Sequence, residues 1–131
     1  MKRFEDWPRR LGDFLAERQQ WPFEWNKNDC CSFGIAAVEA ITGVCIWPVT
    51  WTDQREALEV IKEAGGLVAA ITSVLGPPSQ NFAVAQRGDV GLAYIGNHQS
   101  VVICTGQTWA GPGEQQLEHL PLDAVGYVWK V

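Results

Sequence analysis

Asp29-Cys30-Cys31-Ser32-Phe33 is the stretch of this 131-residue chain best equipped for chemistry. It opens a strongly apolar helical pattern that runs from Cys30 to Thr42 and stops at Gly43. Asp29 is a good N-cap, because its carboxylate accepts from the free amides of the first turn. A cysteine in that first turn sits at the positive end of the helix dipole, which favours the nucleophilic thiolate. Cys30 is therefore the candidate nucleophile. Such a residue needs a base within hydrogen-bond reach, and the base needs a group to orient it. The chain has two histidines. His98 precedes the strand pattern Gln99-Ser100-Val101-Val102-Ile103-Cys104, and alternation puts His98, Ser100, Val102 and Cys104 on one face. If that face meets Cys30, the chain has a Cys/His pair. Gly96-Asn97-His98 also reads as a hairpin turn, in which an exposed histidine carries no role, and the two readings stand side by side. His119, in Gln116-Leu117-Glu118-His119-Leu120-Pro121, reads as a surface-loop or strand-edge residue.

A metal site is the competing use of the same atoms. Cys30, Cys31, Cys45, Cys104 and His98 are its candidate ligands, but there is no Cys-x-x-Cys pair and adjacent helical cysteines point apart. The expectation is no metal and no cofactor. The irregular spacing of the four cysteines fits reduced thiols rather than a disulfide framework. Arg87-Gly88-Asp89 reads as a turn into a strand.

These residues must be positioned by elements that the pattern also shows. On a helical wheel Cys30, Gly34, Ala37 and Ile41 share one side, opposite Ser32 and Glu39. Gly34 and Ala37 are small enough to let a sheet approach Cys30 closely. Cys30 is expected against the strand 99–105. Cys31, a quarter turn away near Ile35 and Val38, is expected to be a packed core thiol that does not face that strand. Trp7-Pro8 opens a first amphipathic helix over about 8–19. Trp21-Pro22-Phe23-Glu24-Trp25 is an extended aromatic connector. Thr52 or Asp53 caps a helix to about Ala64, Gly65-Gly66 breaks it, and Leu67–Leu75 forms a further helix. After Gly76-Pro77-Pro78 the chain turns β-rich, with strands at 89–94, 99–105, 107–110 and 126–131 separated by Gly-rich turns. Helices first and strands after imply α+β, an antiparallel sheet with the helices packed on it.

Composition sets outer limits. The length suits one domain, 1–131, with residues 1–20 as an N-terminal helical extension. At 47% hydrophobic and 19% charged the chain is globular, and its net charge of −5 with scattered Lys and Arg argues against nucleic acid. No apolar run approaches the roughly 20 residues of a membrane span. The start, Met1-Lys2-Arg3-Phe4-Glu5-Asp6, lacks the apolar core of a signal peptide, so folding in the cytoplasm is expected. Seven tryptophans are many for this size, and read either as packing or as a protein-contact surface.

Asp29-Cys30-Cys31-Ser32-Phe33, then Arg87-Gly88-Asp89-Val90, then a strand ending in Gly106, resembles the NlpC-type cysteine peptidases, papain-like enzymes that cut peptidoglycan stem peptides. Their pattern is Asp-Cys-Ser-Gly at a helix start, Gly-Asp-Leu-Val on the first strand and His-Val-Gly-Ile on the second. Over residues 20–131 the chain is more closely similar to small NlpC-like proteins of phage and prophage tail modules, which share an aromatic lead into Asp-Cys, a Gly-Gly before a short helix and a terminal Trp-x-Val, here Trp129-Lys130-Val131. The resemblance implies a papain-like fold and Cys30 as nucleophile, with other tail proteins and peptidoglycan as partners and the bacterial virion tail as location. Aligning Ser100-Val101-Val102-Ile103 with His-Val-Gly-Ile puts the base position on Ser100, with His98 two residues earlier, about 6–7 Å along the strand. The third position falls near Gln107 or Trp109, and an indole cannot orient an imidazole as His or Asn does. Two functions follow: a structural tail component that kept the fold without the chemistry, or a cysteine peptidase or amidase in which Cys30 attacks and His98 takes the proton.

Overall fold

A computed structural model describes residues 1–95 and 97–131. The helices come first: α1 (Trp7–Arg18), α2 (Cys30–Thr42), α3 (Gln54–Glu63) and α4 (Leu67–Leu75). The strands follow: β1 (Val90–Ile95), β2 (His98–Cys104), β3 (Trp109–Pro112), β4 (Leu117–Leu120) and β5 (Val125–Trp129). They form one antiparallel sheet in the order β4-β3-β2-β1-β5. The coarse α+β reading of the sequence holds.

Local chemistry accounts for the helix ends. Asp29 caps α2 by accepting from the Ser32 amide at 2.9 Å, and Gly43, at φ 77°, closes it by donating to the Glu39 carbonyl. Asp53 caps α3 through the Glu56 amide, while the Glu56 carboxylate accepts from Thr52 N–H, a reciprocal lock on the first turn. Pro8 begins α1, where its missing N–H costs nothing. That helix is no loose extension. Leu11 and Phe14 are buried, and the Phe14 ring packs on Phe33 of α2 at 5.3 Å.

Both sheet faces are covered. Val90, Leu92, Val101, Ile103, Ala110 and Trp129 pack under the helices, with Phe33, Ala37, Val38 and Ile41 of α2 above them. Ala93, Val102, Cys104, Trp109, Val125 and Val128 form a second cluster on the far face, closed by Ala85, Leu120 and Leu122. α2 lies closest to the sheet at Gly34, where an added Cβ would come within 2.8 Å of a Val101 methyl.

The strand bounds differ from the sequence reading in the second half. The third strand covers Trp109–Pro112 rather than 107–110, and the last ends at Trp129 rather than 131. Leu117–Leu120 is a strand in its own right, pairing with β3 at the sheet edge, so His119 is a strand-edge residue. Four residues with two apolar ends carry too little alternation to announce a strand alone. The hairpin turn read over Gly96-Asn97-His98 falls partly on Gly96, which lies outside the described residues; Ile95 and His98 pair across it.

The Arg87-Gly88-Asp89 turn proves to be an anchor. Asp89 is wholly buried, and its carboxylate accepts from Gln86 N–H at 2.8 Å, Val131 N–H at 3.2 Å, the Arg3 guanidinium at 3.2 Å and the Lys130 ammonium. Arg3 also donates to the carbonyls of Arg87 and Val131. One carboxylate thus binds the first residues, the start of β1 and the last residues together. Asp89→Ala leaves two cations facing an apolar gap. We expect a loss of about 3–5 kcal/mol in urea unfolding, and a much smaller one for the exposed Asp6→Ala, whose ion pairs with Arg9 and Arg10 lie in solvent.

Candidate functional site

Asp29 builds the site. It is buried, and besides the Ser32 amide its carboxylate accepts from the Ser32 hydroxyl at 2.9 Å, the Asn26 amide at 2.7 Å and the Trp51 indole N–H at 2.8 Å. The preceding loop is held as firmly. Asn28, also buried, donates to the carbonyls of Trp21 and Pro22 and accepts from Arg18. Asn26 takes φ 63°, a left-handed conformation that asparagine tolerates. Cys30 therefore leaves a rigid turn at a fixed angle into the first turn of α2.

Cys30 is half-buried against β2, beside Ser100 and Val101. Cys104 N–H donates to the Asp89 carbonyl on the β1 side. Alternation along an antiparallel strand then turns the Val101 N–H the other way, toward β3. The β2–β3 pairing covers Ile103 and Cys104, and Val101 lies beyond it. From there the Val101 amide favours the Cys30 thiolate. Cys30 thus packs against the strand 99–105, as its helical phase implies.

These contacts hold the Cys30 thiol below its ordinary value. The Cys31 thiol, as donor, contributes most; burial opposes it; the Val101 amide favours the thiolate; the Asp29 charge opposes it; the Ser100 side chain favours it. Cys31 moves the other way, raised by its bond to Cys30 and by burial. The expectation that Cys31 keeps away from the sheet needs correcting. It is a core thiol, but it lines an apolar cavity with Val90 and Val101, beneath Leu67 and Ile71 of α4. The start of α2 lies against β2, so neighbouring positions both reach that strand.

The structure puts Ser100, not His98, beside the thiol. Val101 and Ile103 face the helices, so His98, Ser100, Val102 and Cys104 share the face turned from them. His98 is two residues from Ser100, exposed at the hairpin. Among the described residues, the groups that set the Cys30 titration include no histidine. His119 lies on the edge strand, where its Nδ1 bonds the Thr108 hydroxyl at 2.7 Å. Trp109 is buried in the far cluster and bonds the Leu122 carbonyl, while Gln107 is exposed in the turn before β3. The sequence showed the cysteine and the serine. It held no signal for the Val101 amide, because an unpaired main-chain donor depends on where β3 ends.

All four cysteines are free thiols. Among the described residues no three His, Cys, Asp or Glu side chains gather to hold a metal ion, and no helix is long and apolar enough to cross a membrane.

A family model, described as a domain of unknown function (DUF6950), matches residues 2–131. The chain belongs to the DUF6950 family. No curated protein and no solved structure matches it. In this DUF6950 member the match takes in α1, in keeping with the burial of Leu11 and Phe14.

Alkylation by iodoacetamide across pH 6–10, followed by peptide mass spectrometry, tests the thiol pair. Cys30 should react with a midpoint below that of a free thiol and Cys31 above it. Ser100→Ala removes a donor to the thiolate and should move the Cys30 midpoint upward. An unmoved midpoint in Ser100→Ala, or Cys31 reacting ahead of Cys30, contradicts the geometry.

Proposed function

We propose that this chain is an NlpC-like component of a phage or prophage tail that keeps a papain-like scaffold and has lost hydrolysis. One observation carries the reading: the strand position that the resemblance gives to the base holds Ser100, while His98 is exposed at the hairpin. A hydroxyl is far too weak a base near neutral pH to take and return the proton of an acyl transfer. The thiolate is favoured here by neutral donors, which stabilise a charge but cannot carry a proton to a leaving amine. The third position gives no help, because the Trp109 indole is buried on the far sheet face. In this reading the partners are other tail proteins, and the tail is where the protein resides.

The second reading, a cysteine peptidase or amidase acting on peptidoglycan stem peptides, is favoured by the lowered Cys30 thiol and its partial exposure. Cys30 would attack the carbonyl, amides at the start of α2 would hold the oxyanion, and His98 would have to supply the proton transfer.

One comparison separates the two. Purified protein is incubated with peptidoglycan, and soluble fragments are measured for wild type, Cys30→Ala and His98→Ala; phage titre is measured for the same variants. The structural reading expects no thiol-dependent release from any of them and an unchanged titre with Cys30→Ala. Release by wild type that is lost in both variants establishes the enzyme, since members of a nucleophile–base unit fail together. Cys30→Ala removes little volume and should cost about 1 kcal/mol of stability, so a lost signal would not stem from unfolding.

A further inference from the structure

We propose that a groove on the outer flank of α2 docks an extended segment of a partner protein, which pairs its main chain with Trp47–Trp51 and sets an acidic side chain against Arg18. The site is separate from Cys30, and the inference does not depend on whether that thiol catalyses. The groove has a volume of about 510 Å³. Its floor is the α2 stripe Ser32, Ile35, Ala36 and Glu39, about 10 Å long at 1.5 Å per residue. One wall is the segment from Cys45 to Trp51, and the end wall is Arg18, Trp21 and Lys27.

The main chain of 47–51 identifies the occupant as a peptide. These residues lie in neither a helix nor a strand, yet their exposure alternates: Trp47 and Val49 are half-buried and Trp51 buried, while Pro48 and Thr50 are exposed. That is the period of an extended strand. Among the described residues, no main-chain N–H or C=O from Cys45 to Trp51 has a hydrogen-bond partner within the protein. Groups left open in this way can pair with an extended chain laid alongside, as in recognition by strand addition. Trp51 is fixed in place by its indole bond to Asp29, so the wall is preorganised at that end.

The end wall identifies an acidic side chain. Arg18 is half-buried, with its guanidinium 4.1 Å from the Trp21 ring centroid. It donates to the Asn28 side chain and the Lys27 carbonyl, and among the described residues it has no carboxylate within ion-pair distance. Lys27 lies over the same ring at 5.5 Å. Lys27 already pairs with Glu24 at 3.7 Å, so in a chain of net charge −5 it is the Arg18 guanidinium, stacked on the indole at the mouth of the groove, that forms the local complement to a carboxylate. Burial already depresses the Arg18 guanidinium, so a carboxylate there would meet a poorly hydrated donor.

The test is a titration of ¹⁵N-labelled full-length protein, followed by NMR, with the blocked peptide acetyl-Val-Thr-Val-Asp-Val-Thr-amide and with its Asn counterpart. The amides of Trp47, Val49, Thr50 and Trp51 should shift saturably with the Asp peptide. The Asn peptide should bind about tenfold more weakly, the worth of one charge-assisted hydrogen bond. Arg18→Ala should lose the same factor and the preference for Asp. If that variant fails to fold, Arg18→Gln, which removes the charge but keeps a polar side chain, takes its place. Thr50→Pro, which deletes an exposed main-chain donor, should weaken binding, and Cys30→Ala should leave it unchanged. Absence of saturable shifts, equal binding of the two peptides, or acetate alone reproducing the shifts with no gain from the peptide overturns the proposal.

Discussion

Asp29 draws the Asn26 and Ser32 amides, the Ser32 hydroxyl and the Trp51 indole N–H into one buried carboxylate. Those donors come from three segments that are otherwise joined only by packing: the aromatic loop before α2, the first turn of α2, and the extended stretch that follows it. Desolvating a carboxylate costs several kcal/mol unless its lone pairs are filled. Only one arrangement of the three segments fills them. The position of Cys30, the wall of the outer groove and the entry angle of α2 are therefore consequences of one satisfied anion. Asp89 does the same work at the other end of the sheet, binding both chain ends to the start of β1.

The same carboxylate limits the chemistry beside it. A negative charge next to Cys30 raises its thiol, and burial raises it further; the Cys31 thiol, the Val101 amide and the Ser100 hydroxyl more than offset both. All three are neutral. A thiolate stabilised by an imidazolium gains an acid that can protonate the leaving group, whereas one stabilised by neutral dipoles is merely a thiolate. A lowered thiol is thus evidence of environment, and evidence of catalysis only when the group that lowers it can also move a proton. Cys30 meets the first condition, and among the described residues the groups that lower its thiol are neutral.

What the sequence disclosed follows from how local each signal is. Asp29, Gly43, Asp53 and Gly65-Gly66 mark helix ends by short-range rules, and the four helices lie where those residues place them. The period-two run of β2 was equally plain, but its orientation was not. Alternation assigns Ser100 and His98 to a common face without saying which face meets the helices, and that depends on β1 pairing and on the contact between Gly34 and Val101. β4 was invisible as a strand because it is short and at the edge, where pairing to β3 rather than its own pattern makes it one. The anchoring role of Asp89 rests on Arg3, some 86 residues away, a separation that no local pattern spans.

α2 serves two flanks that obey different demands. Its inner flank must approach the sheet, which is why a glycine faces Val101, and the first turn on that side delivers the thiol to β2. Its outer flank carries Ser32 and Glu39, which read from sequence as a solvent edge, and these become the floor of a groove because the stretch after α2 folds back along it to reach Asp29. The two flanks share the Asp29 cap but no side-chain chemistry. Loss of a working base on the inner flank would therefore leave the outer one intact, since what shapes it is a hydrogen bond from Trp51 and the stacking of Arg18 on Trp21. One residue sets both flanks, since the cap that places Cys30 is also the acceptor of the Trp51 indole that holds the groove wall.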